Sequence, residues 1–196
     1  MPKIILWKDF NFKNDSFYKK IKNIKDNSLI CSFSTNLQRN FFKTITRKGG
    51  KVLLALKNTT IVGLLVMEKK SSHTLYFLKK NLIKIILNLL FSKYWSDKKI
   101  LFNYFINFLF MKENKILIKN NIVLVAVISS ERGKKIGNKL IKKLKKITNK
   151  NIYVTTDYNN YKAQNFYKKN NFKFFNETFY GIRKLCIYKY KKNKLN

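Results

Sequence analysis

Proline is nearly missing from this 196-residue chain, occurring only as Pro2. No proline- or serine-rich linker marks a boundary, so residues 1–196 read as a single domain. Cysteine is as scarce. Cys31 and Cys186 stand far apart and make no C-x-x-C pair, which excludes the common zinc and dithiol motifs. Two buried thiols in a reducing cytoplasm are expected instead. The single histidine, His73, has no Cys, His or carboxylate cluster beside it, so it reads as a surface or strand-edge residue. No metal site is expected. Long apolar runs are absent too. The N-terminus offers only Ile4–Trp7 before charge resumes, too short for a signal-peptide core. Acidic side chains number 9 against 43 Lys and Arg, giving a net charge of +34.

Such a basic chain invites a nucleic-acid reading, since it is drawn to polyanions. Arginine, however, appears only at Arg39, Arg47, Arg132 and Arg183. Nucleic-acid binders favour arginine forks for bases and phosphates, so no dedicated nucleic-acid role is expected. Abundant Lys, Asn, Ile, Phe and Tyr with almost no Pro is the pattern an A+T-rich genome imposes on any protein. The charge should still favour anionic ligands.

What the chain does possess is a stretch around which the rest is arranged, Asn121 to Asn138. It opens with the uncharged run Ile122–Ile128, which reads as a fully buried strand. A polar turn, Ser129-Ser130-Glu131, leads to Arg132-Gly133-Lys134-Lys135-Ile136-Gly137. A helix follows, with Ile136, Leu140, Ile141, Leu144 and Ile147 at three- and four-residue spacing. A strand that passes through a glycine turn into a helix N-terminus makes an anion site, because the first amides lack helical partners and the dipole adds positive potential. Gly133 and Gly137 should let a phosphate reach the backbone. A pyrophosphate is the natural ligand.

At this stretch the chain resembles the GNAT acetyltransferases, whose cofactor motif is R/Q-x-x-G-x-G/A after an L-A-V-like strand end. Here the matching residues are Val125-Ala126-Val127, Arg132, Lys135 in place of the middle glycine, and Gly137. A second stretch, Tyr153 to Phe172, resembles the family's N-x-x-A-x-x-F/L-Y-x-x-x-G-F through Asn160, Ala163, Phe166, Tyr167 and Phe172. Asn171 stands for the glycine, a mild change because Asn also accepts the left-handed conformation. The resemblance implies a mixed α/β (α+β) GNAT fold, with a mostly antiparallel sheet, splayed central strands and flanking helices.

The order of elements agrees with that expectation. Lys3–Trp7 reads as an edge strand, Asp15 to about Ile24 and Phe33 to Thr46 as helices, and Lys51–Leu56 with Thr60–Met67 as a hairpin. Gly63 inside the second hairpin strand suggests a bulge or a close backbone approach. Residues 75–111 hold two apolar blocks, Leu82–Phe91 and Ile100–Met111, flanked by lysines. Each is well short of the about 20 residues that span a bilayer. An apolar helical insertion between the third and fourth strands is expected, packed on the sheet, with interfacial membrane contact as the sharper alternative. Ile152–Thr156, a helix over Ala163–Lys169 capped at Asn160, and closing strands Phe172–Phe175 and Lys184–Tyr190 complete the chain.

The resemblance also assigns roles. Acetyl-CoA is implied as acyl donor, with no metal, and a primary amine as acceptor. Val125, Ala126 and Val127 would offer backbone groups to the pantetheine and thioester. Arg132 and the run Gly133, Lys134, Lys135, Ile136, Gly137, Asn138 would hold the pyrophosphate. Asn160 would contact the donor near its thiol end, and Tyr167 would donate the proton to the leaving thiolate. A small-molecule acceptor such as an amino sugar is the first expectation, from a loose likeness to chains of surface-polysaccharide assembly, and a protein or peptide amine the second. A catalytically inactive binding or membrane-surface protein is the alternative of a different class. Many relatives place a glutamate base on the fifth strand, where this chain has Thr155. Asp157, Glu68 and Glu113 are the nearby acids, and Glu68 and Glu113 each read as a surface charge. The expected place is cytoplasmic, with any membrane contact peripheral and at the inner face.

Overall fold

The computed structural model describes residues 2–6, 21, 33–90 and 118–192. Its strands are Lys3–Leu6 (β1), Lys51–Lys57 (β2), Thr60–Lys70 (β3), Lys119–Val127 (β4), Ile152–Asp157 (β5), Lys173–Tyr180 (β6) and Arg183–Tyr190 (β7). They form one seven-stranded sheet in the order β1-β2-β3-β4-β5-β7-β6. Among the described residues β4 and β5 are the one parallel pair, and they pair only at Asn121↔Tyr153 and Ile122↔Val154. Beyond that point the two strands diverge. The sheet is mostly antiparallel with a splayed centre, as expected.

The helices are Thr35–Arg47 (α1), Ser72–Lys80 (α2), Leu82–Leu90 (α3), Ile136–Lys146 (α4) and Tyr161–Lys169 (α5). Both faces of the sheet are covered, which is why β2 and β3 read as continuous apolar runs. On one face Leu64, Val66, Leu124 and Ala126 meet Phe41, Phe42, Phe77 and Ile85. On the other, Leu65, Met67 and Ile122 meet Ile136, Leu140, Ile141 and Leu144 of α4, with Tyr167 and Phe172. Fully burying one such side chain contributes roughly 1.5–3 kcal/mol. Gly63 answers to both suggested causes. Ala55 pairs with Gly63 and Leu56 with Ile61, leaving Val62 as the extra residue of a bulge. A Cβ on Gly63 would also lie 3.1 Å from Ile136 Cγ2 and 3.3 Å from Leu140 Cδ1, so α4 needs the bare backbone.

Some boundaries differ from expectation. The helical segment after β3 begins at Ser72 rather than Leu75, because the Glu68 carboxylate accepts from Thr74 N (2.9 Å) and Thr74 Oγ1 (2.8 Å) and ties down the first turn. β6 starts after Phe172, which turns into the core, and runs on to Tyr180. Asn171 does take the left-handed conformation, at φ 58°. The expected helices over 15–24 and 100–111 lie outside the described residues, except that Ile21 is helical and fully buried. Among the described residues no helix is long and apolar enough to cross a membrane.

Candidate active site

The turn between β4 and α4 is built on two left-handed residues. Gly133 has φ 81°, and a Cβ there would meet nothing within 4 Å, so its backbone faces open space. Lys135 has φ 59°, which explains why a glycine suits this position and why lysine there carries strain. The turn then enters α4 without a side-chain cap from Lys135. The first amides of the helix therefore remain donors to a ligand. Arg132 folds back so that its Nε donates to Val127 O at 3.1 Å, bracing the strand end. Glu131 accepts from Lys57 at 2.8 Å and Lys134 at 3.2 Å. These two ammonium groups hold its carboxyl below the usual range, the Lys57 contact most strongly.

The turn opens onto a cleft of about 490 Å³ between α4 and α5. Val125, Val127, Arg132, Gly133, Lys135, Ile136, Gly137, Asn138 and Tyr167 all border it. Glu131, Lys162, Ala163 and Phe166 border it as well, and none of these four was assigned from sequence, although Ala163 and Phe166 belong to the second motif. Three residues lie off its lining. Ala126 is buried on the opposite face, Lys134 pairs with Glu131, and Asn160 serves as helix cap. Gly137 has a role beyond an open backbone: a Cβ there would sit 3.1 Å from Phe166 Cε2 and Cζ. Its bareness lets the two helices close to the width of a ring.

α5 is fixed at its start by local polar bonds. Asn160 Oδ1 accepts from Ala163 N at 3.0 Å, satisfying an orphan amide. Behind it, Tyr188 Oη donates to Gln164 Oε1 at 3.0 Å, while Gln164 Nε2 donates to the carbonyls of Asp157 and Tyr158. This holds the β5–α5 loop to the sheet. Tyr167, on the next turn, is 7% exposed and meets Phe166 and Phe172 edge-on at 5.2 and 5.7 Å. It is thus both a core residue and a wall of the cleft.

The acids are arranged otherwise than expected. Asp157 accepts from Arg183 Nε at 3.0 Å and forms a two-oxygen pair with that guanidinium. Glu113 lies outside the described residues. Glu68, read from sequence as a surface charge, is 1% exposed. Strand alternation puts it on the face of Leu64 and Val66, and that face is still covered at this point by α2. Besides Thr74, Glu68 accepts from Asn121 Nδ2 at 3.2 Å. Burial raises its carboxyl above the ordinary value, and these hydrogen bonds offset part of that rise. His73 is half-buried at the start of α2, not at a strand edge, and burial lowers its ring basicity. Cys186 is a buried free thiol. Among the described residues no three His, Cys, Asp or Glu side chains gather as a metal site.

Residues 97–174 match the family model described as an acetyltransferase (GNAT) domain. The chain is similar in structure to an N-acetyltransferase from Staphylococcus aureus Mu50, at TM-score 0.57 and 13% identity over 98% of this chain and 99% of that one. It is similarly close to a GNAT-family acetyltransferase from Bacillus cereus, at TM-score 0.57 and 12% identity over 99% of each chain. A ribosomal-protein-alanine N-acetyltransferase from Brucella melitensis gives TM-score 0.55 and 11% identity over 96% and 99%. No curated protein sequence matches the chain. The fold is the GNAT fold.

Proposed function

We propose, from the GNAT fold and the cleft at the splay of β4 and β5, that this protein is an N-acetyltransferase moving an acetyl group from acetyl-CoA to a primary amine. One observation carries this reading: the open-backed Gly133 turn and uncapped α4 N-terminus lead directly into a cleft walled by Val125, Val127 and Phe166. Donor amides with Arg132, Lys135 and Lys162 suit a pyrophosphate, and the apolar wall suits a pantetheine arm. The donor supplies an activated acyl carbon. In the transfer the amine nitrogen bonds to that carbon, the carbon–sulfur bond breaks, one proton leaves nitrogen and one reaches sulfur.

Tyr167 is the residue of this chain suited to give that last proton. The departing thiolate is basic enough to take a proton, and Tyr167 brings a phenolic O–H to the wall of the cleft. Tyr167→Phe keeps the ring packing against Phe166 and Phe172 but removes the O–H. We expect kcat to fall by roughly 10²–10⁴, the usual worth of general acid help, with acetyl-CoA Kd unchanged. A full kcat in this variant would leave Tyr167 as core packing alone.

For the acceptor we propose a small amine such as an amino sugar, because a strongly basic protein favours an anionic carrier such as a sugar nucleotide. A protein or peptide amine is the second reading, favoured by the likeness to a neighbour named ribosomal-protein-alanine N-acetyltransferase. An inactive, membrane-surface role is the third, favoured by Lys135 in the glycine position and by Ile83 and Leu87, exposed at 74% and 47% among lysines of α2 and α3. Its proposed place is the cytoplasm.

A further inference from the structure

The β4–β5 pairing ends at Ile122↔Val154, so Asn121 and Thr155 flank the apex from which the strands diverge. Asn121 is buried and Thr155 half-buried. Thr155 Oγ1 donates to Asn121 Oδ1 in a long hydrogen bond of 3.5 Å. Glu68 stands behind them. Glu68 Oε1 accepts from Asn121 Nδ2, and this turns the amide's Oδ1 toward Thr155. Glu68 is itself locked from the other side by Thr74 N and Oγ1. Each of the two oxygens at the apex keeps a lone pair for a further donor, with the buried Glu68 carboxyl behind.

We propose that Glu68, Asn121 and Thr155 form the acceptor subsite, in which Asn121 Oδ1 and Thr155 Oγ1 accept the two N–H groups of a neutral primary amine and Glu68 is the positioning residue that sets the amide. This deepens and rests on the acetyl-transfer reading. A carboxyl group on β3 thereby orders the site at which β5 brings Thr155. The subsite selects primary amines over alcohols, since its two oxygens call for two N–H donors and an alcohol brings one O–H.

Glu68→Gln is nearly isosteric and keeps an oxygen for Thr74, but its amide can face Asn121 with N–H. Asn121 then turns over and presents Nδ2, a donor, to the incoming amine. We expect the amine KM to rise tenfold or more while acetyl-CoA Kd is unchanged, and Glu68→Asp to recover part of the loss. Thr155→Val should raise the amine KM and Thr155→Ser should not. A readout independent of turnover is the Asn121 side-chain amide resonance in ¹⁵N NMR with propylamine as probe. The native protein should show a saturable shift that Glu68→Gln abolishes. Were that shift retained while no amine is acetylated, the amine subsite would stand and the acetyl-transfer reading would fall. An unchanged amine KM, or an unchanged propylamine response, in Glu68→Gln would overturn the subsite.

Discussion

Lys135 holds a left-handed backbone, at φ 59°, that glycine adopts without penalty. For an L-residue with a Cβ this conformation costs about 1–2 kcal/mol, part of which a glycine returns through its freer unfolded chain. Lys135→Gly should therefore raise stability by about 1 kcal/mol in thermal or denaturant unfolding. It should also leave acetyl-CoA affinity equal or tighter, because the widened turn admits phosphate. A lower melting temperature would mean that the lysine side chain is itself tied into the fold. The motif made the substitution visible in sequence, and the strain explains it in physical terms. Glu68 was visible as a residue but not as a buried one. A Glu-Lys-Lys end to an apolar run reads as the strand running into solvent, and Lys69 and Lys70 are indeed exposed, whereas Glu68 is covered by α2.

At the scale of elements, α5 shows how a short helix aims the groups of a cleft. It supplies Lys162, Ala163, Phe166 and Tyr167 to the wall, and Asn160 sets its first turn. Removing that cap in Asn160→Ala should cost about 1 kcal/mol of stability, the usual worth of an N-cap. It should weaken acetyl-CoA binding as α5 frays away from α4, while Asn160→Asp keeps both. Calorimetry and urea unfolding of the two variants check this, and equal behaviour of Ala and Asp would remove the cap from the account. Asn160 was legible because cap, Ala163 and Phe166 share one spacing pattern. The start of α2 was not, since it is fixed by Thr74 binding a carboxylate six residues back, a contact with no periodicity.

At the scale of the whole molecule, a net charge of +34 governs encounters with any anionic surface. α2 and α3 nonetheless pack inward: Phe77 contacts Phe41 at 5.3 Å between ring centroids, and Ile85 is 5% exposed. We expect no co-sedimentation with neutral vesicles, and salt-reversible binding to anionic ones driven by charge alone. Ile83→Ser should not alter that binding; its loss in this variant would show that α3 enters the acyl boundary. The order of elements along the chain and the splay were legible because two motifs mark the β4–α4 and β5–α5 units. How the sides of the splay meet was not, because Glu68, Asn121 and Thr155 come from three strands and no linear spacing joins them.

The central claim is that the β4–α4 turn and the cleft beside it hold acetyl-CoA, and calorimetric titration of acetyl-CoA into the native protein and Gly137→Val tests it most directly. A valine side chain would press on Phe166 and narrow the cleft, since even its Cβ would lie 3.1 Å from the ring. Saturable binding to the native protein and a Kd at least tenfold higher in the variant, about 1.4 kcal/mol, are expected. No binding to the native protein at millimolar acetyl-CoA, or equal affinity in the two proteins, would contradict it.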